Sequence, residues 1–163
     1  MKMNFQIRKY LDSDLKEVHS IFNHFALESF AVYCETELDK DRIRRMMDQA
    51  KVALVIEENK IVVGFGFISE FKPYQNFNRT GVLTYFILPE FTGKGIGSKL
   101  LTELFSLGKK KGITNYLAHI SSKNKQSLSF HEKLGFKRVG RFKDVGTKFG
   151  QSIDVVWVQK ILD

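Results

Sequence analysis

The residues with the clearest chemical meaning in this chain are Gly93-Lys94-Gly95-Ile96-Gly97-Ser98. They follow an apolar run, Val82 to Leu88, closed by Pro89, and they precede the most helix-like segment, Lys99 to Leu107. Strand, glycine loop and helix in that order make an anion site. Glycine lets backbone N–H groups approach a phosphate with no Cβ in the way, and the helix N-terminus adds positive potential. The spacing narrows the ligand. A dinucleotide fingerprint needs Gly-x-Gly-x-x-Gly, and here the third glycine arrives one residue early. A triphosphate loop needs Gly-Lys-Ser/Thr, and here the order is Gly-Ser-Lys. The expected ligand carries phosphate but matches neither motif.

Proton chemistry has fewer candidates. His131 lies in a short helical stretch, Ser127 to Leu134, and titrates near neutrality, so it can serve as acid or base or simply pack. His119 falls on the opposite strand face from Ala118 and Ile120 and can line a cleft beside the fourth strand. Tyr33, Glu35 and Glu28 sit in an unpatterned stretch, Glu28 to Glu37, that reads as a substrate loop or as plain solvated connection. His19 and His24 read as surface or packing residues, and Cys34 has no recognisable partner histidine beside it. Histidines and acids show no metal-ligand spacing, so no metal is expected.

Positioning these groups requires an alternating set of elements. Phe5 to Arg8 alternates like a strand, and Asp12 or Ser13 can cap a helix whose face carries Leu15, Val18, Phe22 and Phe25. A second helix is expected from Asp39 to Ala50, with Ile43, Met46, Met47 and Ala50 as its core stripe. Val52 to Glu57 and Ile61 to Phe71 read as a hairpin turning at Glu58-Asn59-Lys60. Gly64 and Gly66 share one face of its second strand, where close packing or a ligand would fit. After the glycine loop and its helix come a strand from Tyr116 to Ser121, the short helix, and two last strands, Lys137 to Phe142 and Ile153 to Gln159. The expected fold is α/β, a mixed sheet with helices on both faces.

Composition bounds the rest. The 163 residues suit one domain, 1–163, and 43% apolar content with 15 phenylalanines argues for a packed core. Apolar runs such as Val155 to Val158 are too short to span a bilayer, and Met1 to Phe5 has no apolar block of signal-peptide length. The lone cysteine suits a reducing compartment, so a cytoplasmic location is expected, with no membrane partner. The net charge of +8, from 26 basic and 18 acidic residues, favours anionic ligands. Lys109-Lys110-Lys111, the only tight basic run, ends a helix before Gly112, where cations complement the dipole. No basic stripe interleaves with aromatic residues, which argues against nucleic acid.

Three segments together resemble the GNAT superfamily of acyl-CoA-dependent N-acetyltransferases. One is the glycine loop after the fourth strand. The second is Asn124, Ser127 and then Phe130-His131-Glu132-Lys133-Leu134-Gly135-Phe136. The third runs through Gly140-Arg141, Val145-Gly146, Lys148-Phe149-Gly150 and Asp154 to Lys160, and is similar to the phosphinothricin and methionine sulfoximine acetyltransferase branch. The resemblance implies a mostly antiparallel central sheet, acetyl-CoA as cosubstrate, direct acetyl transfer to the amine of a small amino-acid-like molecule, and a homodimer. It also implies roles. Amides of Gly93, Lys94, Gly95, Ile96, Gly97 and Ser98 would hold the pyrophosphate, with the Lys94 and Lys99 side chains able to reach phosphate. The strand edge Tyr85-Phe86-Ile87 would pair with the pantetheine amides and supply an oxyanion donor near Phe86-Ile87, and Asn124 would bind further along the cofactor. His131 would move the proton, while Tyr33, Glu35, Thr84 and His119 would contact the acceptor. Gly146 to Gly150 would form a hairpin loop near the partner subunit and the acceptor cleft. Two positions depart from the family pattern: Thr92 stands where Arg or Gln is usual, and Val82 where the branch carries a general-base glutamate. Other acceptors consistent with the residues are a protein N-terminus or a polyamine, and a non-catalytic acyl-CoA-binding module is the remaining alternative.

Overall fold

A computed structural model describes residues 4–163, so Met1 to Met3 of the N-terminal stretch considered above lie outside the described residues. The elements are β1 (Phe5–Lys9), α1 (Leu15–Glu28), α2 (Lys40–Asp48), β2 (Val52–Glu58), β3 (Ile61–Glu70), β4 (Thr80–Ile87), α3 (Ile96–Lys110), β5 (Asn115–Ser121), α4 (Lys125–Lys133), β6 (Lys137–Lys148) and β7 (Gln151–Ile161). The strands form one sheet in the order β1-β2-β3-β4-β5-β7-β6. Every pairing is antiparallel except β4 with β5.

Each sheet face buries its own helices. On one side Val18, Ile21, Phe22 and Ala26 of α1 and Ile43 and Met47 of α2 meet Phe65, Phe67 and Phe86. The rings of the cross-strand pair Phe65 and Phe86 lie tilted with centroids 5.5 Å apart, and Phe22 approaches Phe86 edge-on at 5.7 Å. On the other side Leu100, Leu101 and Leu104 of α3 cover Leu54, Ile56, Ile68 and Leu83. Gly64 and Gly66 serve this second face by close packing rather than by leaving ligand space. A Cβ on Gly66 would lie 3.1 Å from Leu100 and 3.2 Å from Leu104, and one on Gly64 would lie 2.9 Å from the Phe86 carbonyl.

Several boundaries differ from the sequence expectations for identifiable reasons. Neither Asp12 nor Ser13 caps α1: residues Asp12–Asp14 form a 3-10 turn, and the Asp14 carboxylate accepts instead from Leu11 N at 2.9 Å and from the Arg8 guanidinium. That ion pair holds the Asp14 carboxyl below its ordinary pKa despite burial, which acts in the opposite direction. Asp39 does cap α2, accepting from Arg42 N at 2.7 Å, but the helix stops at Asp48. The first hairpin turns on Asn59 and Lys60 alone, both at positive φ, a two-residue turn whose twist suits its flanking strands. The last two strands are longer than expected. Bulges follow Arg138 and Phe142 in β6, and Asp154 stabilises the second by accepting from Asp144 N at 2.8 Å and pairing with Arg141. The expected loop at Gly146 to Gly150 contracts to a turn at Phe149 and Gly150, both at positive φ, because Gly146 to Lys148 remain paired with β7.

Candidate active site

The site is built where β4 and β5 separate. Their parallel pairing covers only Thr80 to Val82 against Asn115 to Leu117. Val82, buried at 8% exposure, is thus the last paired residue, and from Leu83 onward the strands part. Register decides which amides face the gap. Leu88 N bonds to Val63 O and Asn115 N to Arg79 O, so even-numbered residues of β4 turn their N–H and C=O toward β3 and odd-numbered ones toward β5. Tyr85 and Ile87 therefore present the free strand edge. Phe86 does not: its amide belongs to the β3 ladder, and its ring enters the α1 side of the core, which corrects the expected donor pair to Tyr85 and Ile87.

Below that edge the glycine loop divides its work. Gly93 and Gly95 both adopt φ +75°, and a Cβ on either would project into open space. Such a conformation costs an L-residue about 1–2 kcal/mol, so glycine here keeps both the backbone shape and the space above it. Gly97 is already helical and has a packing role, since a Cβ would come within 3.1 Å of the Phe130 ring on α4. The first intrahelical bond of α3 is Lys99 N to Gly95 O, which leaves the N–H groups of Ile96, Gly97 and Ser98 for an anion. Lys94 turns its ammonium back to Glu90 O at 3.0 Å and over the Phe91 ring, so its place in the loop is that of a backbone. Thr92 closes the preceding turn onto Pro89 O at 2.7 Å.

Two cavities meet at this parting. One, about 980 Å³, holds the glycine loop and Ile87 and carries Lys123, Lys125 and Lys133 against a single carboxylate, Glu28. The other, about 800 Å³, lies over Phe22, Val32, Met46, Phe67 and Thr84, with Tyr33, Glu70, His119 and His131 as its ionisable groups beside Tyr85. Ala31, Tyr85, Phe86, Asn124 and Ser127 line both. Asn124 caps α4 by accepting from Ser127 N at 3.2 Å, so the residue that starts that helix also forms the junction wall.

His131 stands at the junction, 1% exposed. Its Nδ1 donates to Ser127 O at 2.8 Å, since a carbonyl can only accept, and this leaves the Nε2 lone pair to act as a base. The Tyr85 hydroxyl lies 3.5 Å from either ring nitrogen. Burial pushes the His131 pKa below its ordinary value, partly opposed by the Ser127 bond, so the ring is neutral at pH 7. Burial pushes the Tyr85 phenol upward, and it stays protonated. Across the second cavity, the Tyr33 hydroxyl meets His119 Nδ1 at 3.1 Å, with the rings stacked 5.6 Å apart. Burial pushes Tyr33 up to about 12. His119 has an exposed edge, but desolvation between Tyr33 and Trp157 lowers its pKa. Glu35 is absent from the walls of both cavities: its carboxylate accepts from Phe149 N at the tip of the β6–β7 hairpin. No group of three or more His, Cys, Asp or Glu residues that could hold a metal occurs among the described residues.

The Acetyltransferase (GNAT) family model matches residues 15–136, three quarters of the chain and every element of this site up to Phe136. This chain belongs to the GNAT acetyltransferase family. It is 31% identical over 161 residues to the L-amino acid N-acyltransferase MnaT of Escherichia coli K12, covering 96% of this chain and 94% of that one. It is 29% identical to the L-methionine sulfoximine/L-methionine sulfone acetyltransferase of Salmonella typhimurium, covering 93% and 91%. The GNAT phosphinothricin acetyltransferase of Sinorhizobium meliloti, solved with acetyl-CoA, superposes with a TM-score of 0.91 at 26% identity, covering 98% and 89%. As a GNAT acetyltransferase the chain is an enzyme that uses acetyl-CoA, and the open backbone above Gly93 and Gly95 with three flanking lysines fits that phosphorylated cosubstrate. Sequence reasoning overlooked Ser127, Trp157 and Lys148 as individual contributors. Ser127 was within reach as the partner three residues beyond Asn124, but no local pattern marks the other two.

Proposed function

We propose that this enzyme transfers the acetyl group of acetyl-CoA to the primary amine of a small amino-acid-like acceptor by direct attack, with residues 1–163 acting as one catalytic domain. The observation that carries this reading is the meeting of two cavities at Tyr85, Asn124 and Ser127, one ending at the glycine loop and the other lined by apolar side chains. The acceptors in the names of the curated relatives, L-amino acids and methionine sulfoximine, support the substrate class.

Bound acetyl-CoA supplies an activated acyl carbonyl. Amides of Gly93 to Ser98 hold its pyrophosphate, and Tyr85 and Ile87 offer strand-edge N–H groups to its amides and to a developing oxyanion, with Asn124 further along. Thr84, Tyr33 and His119 contact the acceptor. Alkylammonium pKa values lie near ~10, so the amine must lose a proton before it attacks. Val82 cannot take it, and Nε2 of neutral His131 can.

Exposed Val139, Phe142, Val145 and Ile161 on the outer strands support a homodimer. The lone Cys34 supports a cytoplasmic location. Thiol release from acetyl-CoA tests the assignment with three arms: L-methionine sulfoximine and a set of L-amino acids, spermidine, and short peptides with free N-termini. Turnover in the amino-acid arm is expected. Turnover only with spermidine or peptides would overturn the acceptor class.

A further inference from the structure

Lys148, the last residue of β6, is 0% exposed. Lysine is almost never fully buried unless its ammonium is paired. Here the ammonium faces backbone: Nζ donates to Ala26 O at 2.8 Å and to Val32 O at 2.5 Å, with the Phe149 ring 4.7 Å away. Ala26 lies in the last turn of α1, where unpaired carbonyls and the helix dipole favour a cation. Desolvation pushes the Lys148 pKa below its ordinary value, opposed by Cys34 and Glu35.

These two carbonyls bracket the start of the irregular segment 29–38, which brings Ala31, Val32 and Tyr33 to the acceptor cavity. The same hairpin tip holds the segment twice more, through Phe149 N to the Glu35 carboxylate and through Phe30 packed edge-on against Phe149 at 5.4 Å. A loop without regular structure of its own is thus tied at Leu38 to Asn23 and His19 of α1 and, through its first half, to the far end of the chain.

We propose that Lys148 is a positioning residue for the acceptor: its buried ammonium latches residues 29–38 into the shape that lines the acceptor cavity. This rests on the reading of that cavity as the acceptor site, so the test separates the two. Lys148→Met keeps an unbranched stem and removes the ammonium, leaving Ala26 O and Val32 O unpaired.

Amide hydrogen exchange on the full chain, without substrates, reads the latch alone. Residues 29–38 are expected to exchange roughly tenfold faster or more, the shift that losing one buried charge-assisted hydrogen bond produces, while β4 and the glycine loop keep their protection. Unchanged exchange at 29–38, or faster exchange throughout the sheet, overturns the proposal. Steady-state kinetics with L-methionine sulfoximine then read positioning. Its KM is expected to rise about tenfold while the acetyl-CoA KM stays within about twofold. Loosened exchange with an unchanged acceptor KM overturns the link to the acceptor. If the enzyme turns over spermidine or peptides but no amino acid, the substrate reading has failed rather than the latch, and the KM comparison moves to whichever acceptor is found. Should Lys148→Met fail to fold, Lys148→Gln removes the charge while keeping a polar end. It is expected to loosen the same segment, and unchanged exchange there overturns the latch.

Discussion

Replacing His131 with asparagine separates its proton chemistry from its structural role. The amide nitrogen of asparagine stands near the place of Nδ1 and can still donate to Ser127 O, the 2.8 Å bond that fixes the ring, whereas nothing replaces Nε2. If Nε2 takes the acceptor's proton, kcat falls by roughly 10²-fold or more, the range for loss of a general base. That corresponds to at least about 2.7 kcal/mol of transition-state stabilisation. Stability should change less on this account: should asparagine fail to reach Ser127 O, that carbonyl still accepts the helical N–H of residue 131, so one lost hydrogen bond costs about 0.5–1.5 kcal/mol. For a chain of this size each kcal/mol lowers Tm by about 2–4 °C.

The pH dependence carries an independent signature. Burial lowers the His131 pKa, so the wild-type rate should rise with pH through an apparent pKa below the ordinary value of about 6.5 and level off near neutrality. His131→Asn should lose that limb. Stability follows the same group with a definite sign. The unfolded imidazole binds its proton first, so the wild type loses stability relative to the variant as pH falls from about 6.5 through the lower folded pKa, and gains nothing from this group above that window. Stopped-flow or steady-state thiol release between pH 5 and 9, with acetyl-CoA affinity measured separately, provides the comparison. A folded His131→Asn enzyme with near-normal kcat, whose rate follows the acceptor's own ammonium pKa, would refute the assignment and point to a water relay to solvent.

Two further outcomes follow from the loop and the outer strands. Gly95→Val should fold with a stability loss of about 1–2 kcal/mol or somewhat more from the left-handed backbone, yet lose acetyl-CoA binding as its side chain enters the groove, and unchanged affinity by calorimetry in a folded variant would overturn the glycine-loop site. Light scattering at micromolar concentration should give twice the 18.9 kDa chain mass, and a monomer mass would refute the homodimer.

What could be read in the sequence was governed by locality. Gly93 to Ser98 lie within six consecutive residues, Asp39 caps a helix three residues away, and Asn59-Lys60 close their own hairpin, so each signal sits beside the structure it dictates. Glu35 looked like a substrate carboxylate because its partner, Phe149 N, is 114 residues distant. Lys148 stood in a family-like segment, but its partner was hidden for the same reason, Ala26 being 122 residues away. The stretch Glu28 to Glu37 had no period because its order is imposed from outside. The second bulge of β6 depends on Asp154 in the neighbouring strand, so the strand seemed to end at Phe142.

The strand edge shows how register turns a correct segment into the wrong atom. Tyr85-Phe86-Ile87 was the right place, but sequence alone cannot tell which amides face β3, and that alternation takes the Phe86 amide, though not its side chain, away from the open edge. Register also gives Val82 its meaning. It closes the β4–β5 pairing and is buried, so an ionisable side chain there would sit at the root of the parting. Valine in that place cannot take a proton, and the ionisable groups of the cavity above it are Tyr33, Glu70, His119 and His131, beside Tyr85. Both phenols are pushed upward by burial and stay protonated, and the Tyr33 hydroxyl at His119 Nδ1 can donate or accept, so it fixes no tautomer there. Glu70 is exposed to solvent and already faces the Lys51 ammonium at 3.7 Å. His131 alone combines a neutral ring, a fixed tautomer and a place beside the junction residues Tyr85 and Ser127, which is why the test of this enzyme's proton path begins there.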